Sequence, residues 1–110
     1  MAAGVVHIPW YATLFRGDAF AAALSEIAPV SLRYGATDYR VYRSRDDQYK
    51  FVQMATFEDK KAFEAYWYGP ELNAFRAEYS GYYQVPLLYA WNDLIVHGGI
   101  EREPAAESVR

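Results

Sequence analysis

The sequence has 110 residues, a formal net charge of −3 and no cysteine. A chain of this length makes one domain of modest core volume. Its acidic balance argues against the basic surface that nucleic-acid binding requires. The absence of cysteine excludes disulfides, thiolate nucleophiles and cysteine-ligated metal sites. Neither a basic leader nor an apolar run of about 20 residues is evident, so we expect a cytoplasmic protein that does not engage membranes.

Aromatic residues make up 18% of the chain, and there are 11 tyrosines. This is more ring volume than the core of a small monomer holds, so some rings must line a cavity, an interface or the surface. Extended exposed apolar area usually marks an interaction site. The composition therefore favours self-association.

The first predicted element is a strand over residues 5–15, where apolar and more polar positions alternate. The even positions are apolar and should face helices, whereas His7, Tyr11 and Thr13 fall on the opposite face. Pro9 has no N–H to donate, which indicates an edge or a bulge at that point.

A first helix follows, with Asp18 as its predicted N-cap. Its apolar stripe is formed by Phe20, Ala23, Leu24 and Ile27, which recur at helical spacing. Pro29 ends the helix.

Two strand-like runs over residues 37–45 and 48–57 predict a hairpin, with Asp46 and Asp47 in the turn. The second run is apolar on both faces in its middle, so both faces should be covered. Four cations lie around the turn, at Arg40, Arg43, Arg45 and Lys50. Because two aspartates lie among them, we interpret them as the solvated end of the hairpin and not as a nucleic-acid site.

A second helix should begin near Glu58 or Asp59, whose carboxylates suit a helix N-terminus. Residues 69–70, Gly-Pro, interrupt it, and Pro70 suits the first position of a further helical segment that Gly81 closes. The last predicted strand covers residues 85–96 and is apolar on both faces. Residues 101–110 form a polar tail.

The element order β-α-β-β-α-β is the split βαβ, or ferredoxin-like, pattern. It predicts one α+β domain over residues 1–100, with an antiparallel sheet and both helices on one face. The other sheet face would be bare in a monomer although it is rich in apolar residues. A second copy would cover it most simply, so we expect a homodimer that pairs through this sheet face and encloses a central space.

The hairpin and the start of the second helix carry a family resemblance. Residues 39–47 (Tyr-Arg-Val-Tyr-Arg-Ser-Arg-Asp-Asp), the strand at 49–56 and residues 57–66 (Phe-Glu-Asp-Lys-Lys-Ala-Phe-Glu-Ala-Tyr) resemble the dimeric α+β barrel superfamily. Within it, the chain is most similar to the antibiotic-biosynthesis-monooxygenase-like proteins. The likeness extends over most of residues 5–96.

This resemblance implies a homodimer with a ligand pocket between sheet and helices. Some members oxidise aromatic polyketides with dioxygen and no added cofactor, others bind or degrade haem, and many have no known activity. Here Tyr66 stands where the family often has histidine. The haem-degrading pattern is also not met, because the first strand offers His7 in place of asparagine and no histidine follows Trp67 in the second helix.

His7 is the candidate catalytic base, because imidazole titrates near neutral pH and suits proton abstraction from a phenolic or enolic substrate. The alternative is a hydrogen-bonded structural histidine. His97, the second histidine, is interpreted as a surface residue. Two separated histidines without ligand-spaced carboxylates do not indicate a metal site, and no nucleotide fingerprint is present. We therefore expect no cofactor.

Four rings are candidates for an aromatic-lined substrate pocket, namely Tyr11, Tyr39, Trp67 and Trp91. Flat rings favour aromatic ligands by offset stacking, and Arg76 is a candidate for orienting an anionic substrate oxygen. The alternatives are core and dimer packing for the rings and a surface salt bridge for Arg76.

Three functions remain open from the sequence. The first is a cofactor-independent monooxygenase or isomerase acting on a small aromatic or polyketide-like molecule. The second is a homodimer that binds such a ligand without transforming it. The third is a purely structural dimer. Fold alone does not separate them, since one fold hosts many activities.

Overall fold

The computed structural model describes residues 3–101, and these form an α+β fold of one sheet covered by helices on one face. The elements in chain order are strand β1 (Gly4–Tyr11), helix α1 (Gly17–Ile27), a 3₁₀ helix (Ala28–Tyr34), strands β2 (Ala36–Arg43) and β3 (Lys50–Phe57), helices α2 (Lys60–Trp67) and α3 (Pro70–Glu78), and strand β4 (Ala90–Asp93). The sheet order is β2-β3-β1-β4 and its pairings are antiparallel. The predicted ferredoxin-like order of elements is confirmed.

Alternation along the central strands creates the core. Val6, Ile8 and Trp10 of β1 are buried under the helices, opposite Ala55, Gln53 and Phe51 of β3. This is the predicted even face of the first strand. Burying large apolar side chains contributes about 1.5–3 kcal/mol each, so this layer fixes the register of β1 against β3.

Pro9 lies where the sheet can tolerate it. Strand β4 pairs with β1 only over Gly4–His7, so beyond His7 one side of β1 has no partner strand. A proline has no N–H to place in a ladder, and here that side of β1 is an edge, as the sequence indicated.

Two of the three α-helices begin where local sequence signals predict. Asp59 caps α2, since its Oδ1 accepts the Ala62 N–H at 2.9 Å, and Pro70 opens α3. The predicted cap at Asp18 is wrong. Arg16 holds the cap position of α1 without a side-chain hydrogen bond, and Asp18 lies in the first turn.

The first strand is shorter than predicted. It ends at Tyr11, and Phe15 has a φ of 70°, which turns the chain out of the sheet. Leu14 continues the apolar alternation in sequence, yet it is 68% exposed. The apolar alternation in the sequence gives no indication of this turn.

The last strand is also shorter than predicted, with four residues in place of the twelve between 85 and 96. Its ladder ends because Asp93 pairs with Gly4, the first residue of β1, and no strand continues beyond it. Residues 85–89 precede the strand, and there Leu87 and Tyr89 pack against the core outside any ladder.

The sheet face opposite the helices is uncovered in one chain, and we call it the open face. Val5, Val52 and Met54 are half-buried on it, His7 is exposed, and Tyr42 is 52% exposed. Among residues 3–101 no helix is both long and apolar enough to cross a membrane. The predicted tail lies outside the described residues except for Glu101.

Candidate functional site

The six candidate site residues divide between the two faces of the sheet. His7 and Tyr11 occupy odd positions of β1 and belong to the open face. The other four, Tyr39, Trp67, Arg76 and Trp91, belong to the helix side. The structure therefore does not assemble the predicted base and the predicted ring pocket into one site within a chain.

His7 lies in the middle of the open face, paired in register with Met54 of β3 and Ala90 of β4. It is exposed. A base at this position would act on a molecule lying against the open face, not on one bound among the helices.

Tyr11, at the end of β1, is fixed by the hairpin turn. Its hydroxyl donates to the Asp47 carboxylate, and Asp47 Oδ1 also accepts the Tyr49 N–H at 3.0 Å. The hydrogen bond from Tyr11 lowers the pKa of Asp47 and raises the pKa of Tyr11. This contact ties the turn to the first strand and gives Tyr11 a structural partner.

Tyr39 and Trp91 lie at opposite edges of the sheet. Tyr39 is on edge strand β2, opposite Ala55 and 37% exposed. Trp91 is on β4, half-buried, with its ring centroid 6.1 Å from that of Phe63. It also covers Gly4, where any Cβ would lie 2.1 Å from the indole. That close approach requires glycine and gives Trp91 a packing role.

Trp67 and Arg76 are the two candidates that the structure brings together. Trp67 ends α2 and is 6% exposed, and the Arg76 guanidinium carbon lies 4.7 Å from its ring centroid. Arg76 Nη2 donates to the Trp67 carbonyl at 2.5 Å and to Asn73 Oδ1 at 3.3 Å. The cation–π contact and these hydrogen bonds hold the guanidinium over the indole.

The second terminal nitrogen of Arg76 has no such partner. Nη1 is closed off from solvent and has no hydrogen-bond acceptor within the described part of the chain. A buried donor without an acceptor costs about 1–3 kcal/mol, and more when it is charged.

Trp67 and Arg76 line a cavity of about 300 Å³, which we call the aromatic cleft. Its remaining lining residues come from the end of α2 and from the segment before β4, and they are Tyr68, Tyr83, Val85, Pro86 and Leu87. Burial raises the pKa of Tyr83, while the nearby Arg76 charge opposes that rise. The cleft thus combines rings, aliphatic walls and one cation.

A second cavity of about 450 Å³ lies against the open face, and we call it the sheet cavity. It is lined mainly by β1, β2, β3 and the residues after β4, including Val5, Arg40, Met54, Leu94 and His97. Like the aromatic cleft, it opens to solvent, and it is the larger of the two cavities.

Packed rings and one polar chain fill the space between sheet and helices. Trp10 Nε1 donates to Gln53 Oε1 at 2.9 Å, Gln53 Nε2 donates to the Tyr66 hydroxyl at 3.0 Å, and that hydroxyl donates to the Ile27 carbonyl at 2.8 Å. Burial raises the pKa of Tyr66 to about 12, so its hydroxyl stays neutral near pH 7. Tyr66 thus links the sheet to the end of helix α1 through its hydroxyl.

Sequence reasoning missed two features of this region. Gln53 follows the strand alternation that buries Phe51 and Ala55, and this period of two was the available signal for a buried amide. The aromatic cleft depends on residues 85–87, which were assigned to a strand.

No group of three histidine, cysteine, aspartate or glutamate side chains within residues 3–101 is placed to hold a metal ion.

Comparison with solved structures finds the same fold elsewhere. A protein from Nitrosomonas europaea named "Putative antibiotic biosynthesis monooxygenase" matches with a TM-score of 0.79 and 17% identity, over 89% of this chain and 95% of its own. Rv0793 from Mycobacterium tuberculosis matches with a TM-score of 0.75 and 15% identity, over 89% of this chain and 100% of its own. A protein from Chloroflexus aurantiacus, also named "putative Antibiotic biosynthesis monooxygenase", matches with a TM-score of 0.73 and 18% identity, over 91% of this chain and 100% of its own.

No family model and no curated protein matches the sequence. At identities of 15–18% the structural likeness shows the fold. The chain therefore has the α+β fold of the antibiotic-biosynthesis-monooxygenase-like proteins, and the resemblance seen in residues 39–66 is confirmed at that level.

Proposed function

We propose that this protein is a homodimer that binds a small aromatic molecule in the aromatic cleft of each chain. The observation that carries the proposal is the cleft itself, a cavity of about 300 Å³ lined by Trp67, Tyr68 and Tyr83 beside an incompletely bonded Arg76. Ligand pockets begin at about this size and combine apolar or aromatic walls with few polar groups.

The rings of the cleft favour a flat ligand. The Trp67 indole is braced by the core, since its centroid lies 5.9 Å from that of Trp10 and 5.8 Å from that of Phe63. A braced ring loses little freedom when a ligand packs on it, which lowers the entropic cost of binding. Offset stacking adds about 0.5–1.5 kcal/mol per ring pair beyond area burial.

A blocking variant tests this site. Leu87→Trp places a larger side chain in the cleft wall, and Leu32→Trp makes the same change at a surface leucine that is 48% exposed. We expect 2-naphthol to bind wild type and Leu32→Trp equally in isothermal titration calorimetry, and Leu87→Trp at least about tenfold more weakly. Equal binding to all three proteins, or to none, would refute the cleft as the site.

The open face supports the homodimer. It presents half-buried Val5, Val52 and Met54, and three side chains after β4 are almost fully exposed, with Ile95 at 88%, Val96 at 83% and Ile100 at 84%. Apolar surface of this extent usually marks an interface. Pairing two open faces would also cover the sheet cavity of each chain.

Sedimentation equilibrium tests the dimer. We expect wild type to sediment as a dimer at micromolar concentration, while Met54→Asp, in the middle of the open face, sediments as a monomer with unchanged far-UV circular dichroism. Leu32→Asp, on the helix side, is the matched control and should remain dimeric. A monomeric wild type at this concentration contradicts the proposal.

A cofactor-independent monooxygenase is the second candidate function. It is favoured by the printed names of two structural neighbours together with the sheet cavity of about 450 Å³ against the open face, the face on which His7 lies. Oxidation of an anthrone balances without an external reductant, because its methylene loses two hydrogens and gains one oxygen atom while the other oxygen atom leaves as water. His7 would serve as base only for a substrate held between paired open faces.

Dioxygen uptake with anthrone tests this candidate. Uptake that persists with a metal chelator and is lost in His7→Gln supports it. No uptake across a panel of anthrones and quinols leaves the binding protein as the function.

A further inference from the structure

We propose that the ligand of the aromatic cleft is an aromatic carboxylic acid, whose carboxylate accepts a hydrogen bond from Arg76 Nη1. This inference rests on the proposed function, because it specifies the chemistry of the molecule bound at the same site. The observation behind it is that Arg76 Nη1 is a buried donor without an acceptor within the described residues.

The guanidinium of Arg76 is held in place but only partly used. Nη2 is engaged by the Trp67 carbonyl and Asn73 Oδ1, whereas Nη1 has no acceptor and is closed off from solvent. Bulk solvent therefore does not reach Nη1 in this conformation. Because guanidinium donors are charged, an anionic oxygen is the acceptor that compensates most fully.

No carboxylate of the described residues competes for this cation. The ion pairs within residues 3–101 are Arg33 with Glu71 at 3.7 Å and Arg43 with Asp18 at 3.0 Å. The cleft lining itself contains no aspartate or glutamate. Arg76 thus brings uncompensated positive charge to a cavity whose other walls are aromatic or aliphatic.

The rings beside Arg76 indicate that the carboxylate and an aromatic ring belong to the same ligand. Trp67 supports the guanidinium from one side at 4.7 Å, and Tyr83 lies close enough for the Arg76 charge to oppose the rise in the pKa of Tyr83. A carboxylate bonded to Nη1 therefore has rings beside it. An aromatic ring carrying that carboxylate would pack on them, whereas an aliphatic acid would leave the rings unused.

Entry of the acid requires one wall of the cleft to shift, since Nη1 is covered. Residues 85–87 form a wall that belongs to no helix or strand, and Val85 is 75% exposed. Such a segment moves at lower cost than a packed helix. The ligand would displace this wall and leave Trp67 and Arg76 in place.

The test compares 2-naphthoate with its uncharged analogue 2-naphthamide by isothermal titration calorimetry. We expect wild type to bind the acid about tenfold or more tightly than the amide, because a charge-assisted bond is stronger than a neutral one. Arg76→Met should bring the two affinities within about twofold of each other, mainly by weakening the acid. Arg33→Met removes the same charge outside the cleft and should keep the wild-type preference.

The outcomes separate the two proposals. Equal binding of acid and amide to wild type, or a preference that survives in Arg76→Met, overturns the carboxylate inference and leaves an aromatic-binding cleft. Failure of both compounds and of 2-naphthol to bind overturns the proposed function and this inference with it. Far-UV circular dichroism and unchanged amide affinity would show that Arg76→Met keeps its fold.

Discussion

Replacing Gln53 and Tyr66, singly and together, measures how much the polar chain contributes to the free energy of unfolding. The polar chain is the series of buried hydrogen bonds from Trp10 through Gln53 and Tyr66 to the Ile27 carbonyl. Both side chains are 1% exposed. Tyr66→Phe leaves Gln53 Nε2 without its acceptor, while the Ile27 carbonyl remains the N-cap acceptor of the 3₁₀ helix. A buried orphan costs about 1–3 kcal/mol, so we expect a loss of about 1–3 kcal/mol in the free energy of unfolding.

Gln53→Leu is an apolar replacement of similar size, and it leaves only Trp10 Nε1 wholly without a partner. We expect it to cost about 1–3 kcal/mol. The two single variants together create two orphaned groups, Gln53 Nε2 and Trp10 Nε1, whereas the double variant creates only the second, because the Gln53 amide is gone. The double variant should therefore lose less free energy of unfolding than the two single losses added together. The difference should equal the cost of one orphaned group, roughly 1–3 kcal/mol.

Urea unfolding followed by circular dichroism gives these free energies, at one fixed protein concentration because association shifts apparent stability. Tyr39→Phe is the matched control, since Tyr39 is 37% exposed and lies on the helix side of edge strand β2, and it should change stability by less than about 0.5 kcal/mol. Strict additivity of the two single variants, or a Tyr66→Phe cost no larger than that of Tyr39→Phe, would refute the polar chain.

Three further predictions follow from caps and titrating groups. Asp59→Ala should lower the free energy of unfolding by about 1 kcal/mol, because the Ala62 N–H loses its cap, whereas Asp59→Asn should retain most of it in the same urea assay. The pKa of Tyr66 is raised from 10.0 to about 12, so its contribution is complete below pH 10 and is lost as pH rises towards 12. The stability gap between wild type and Tyr66→Phe should therefore narrow over that range in urea unfolding, and a constant gap would contradict the shift. Tyr11→Phe should raise the pKa of Asp47 towards its usual range, measured by carboxyl NMR titration. The stability that the lowered pKa of Asp47 provides is present above the usual aspartate pKa and disappears as pH falls through the lowered value.

Much of the fold was predictable because its signals are local. The alternation around Ile8 and Trp10, the aspartate pair of the hairpin turn, the Asp59 cap and Pro70 each act within a few residues, and each agrees with the structure. Their order along the chain then restricts the topology to very few arrangements.

The strand ends were not predictable from such signals. The last ladder stops at Asp93 because its partner strand begins at Gly4, a limit set by residues almost ninety positions away. Likewise, β1 ends before Phe15 because of a turn, although the apolar alternation continues to Leu14. Alternation reports which face a residue would take, not whether a neighbouring strand is present.

The candidate site was predictable only in part. Trp67 and Arg76 are near neighbours in sequence, and the break before Pro70 folds α3 so that the two side chains stack. His7 and Tyr11 were grouped with them because both carry useful chemistry, yet strand alternation sends them to the open face. Residues 85–87 complete the cleft through tertiary packing that sequence patterns do not encode.

The indole N–H signals of the three tryptophans test the central claim most directly. Each gives a separate cross-peak in a ¹H–¹⁵N NMR spectrum, and each can be assigned by a tryptophan-to-phenylalanine variant. On titration with 2-naphthoate, binding in the aromatic cleft predicts the largest shift at Trp67, a smaller one at Trp10 behind it, and the smallest at Trp91, which lies outside the cleft. A saturable titration that moves Trp91 and leaves Trp67 unchanged would contradict the account.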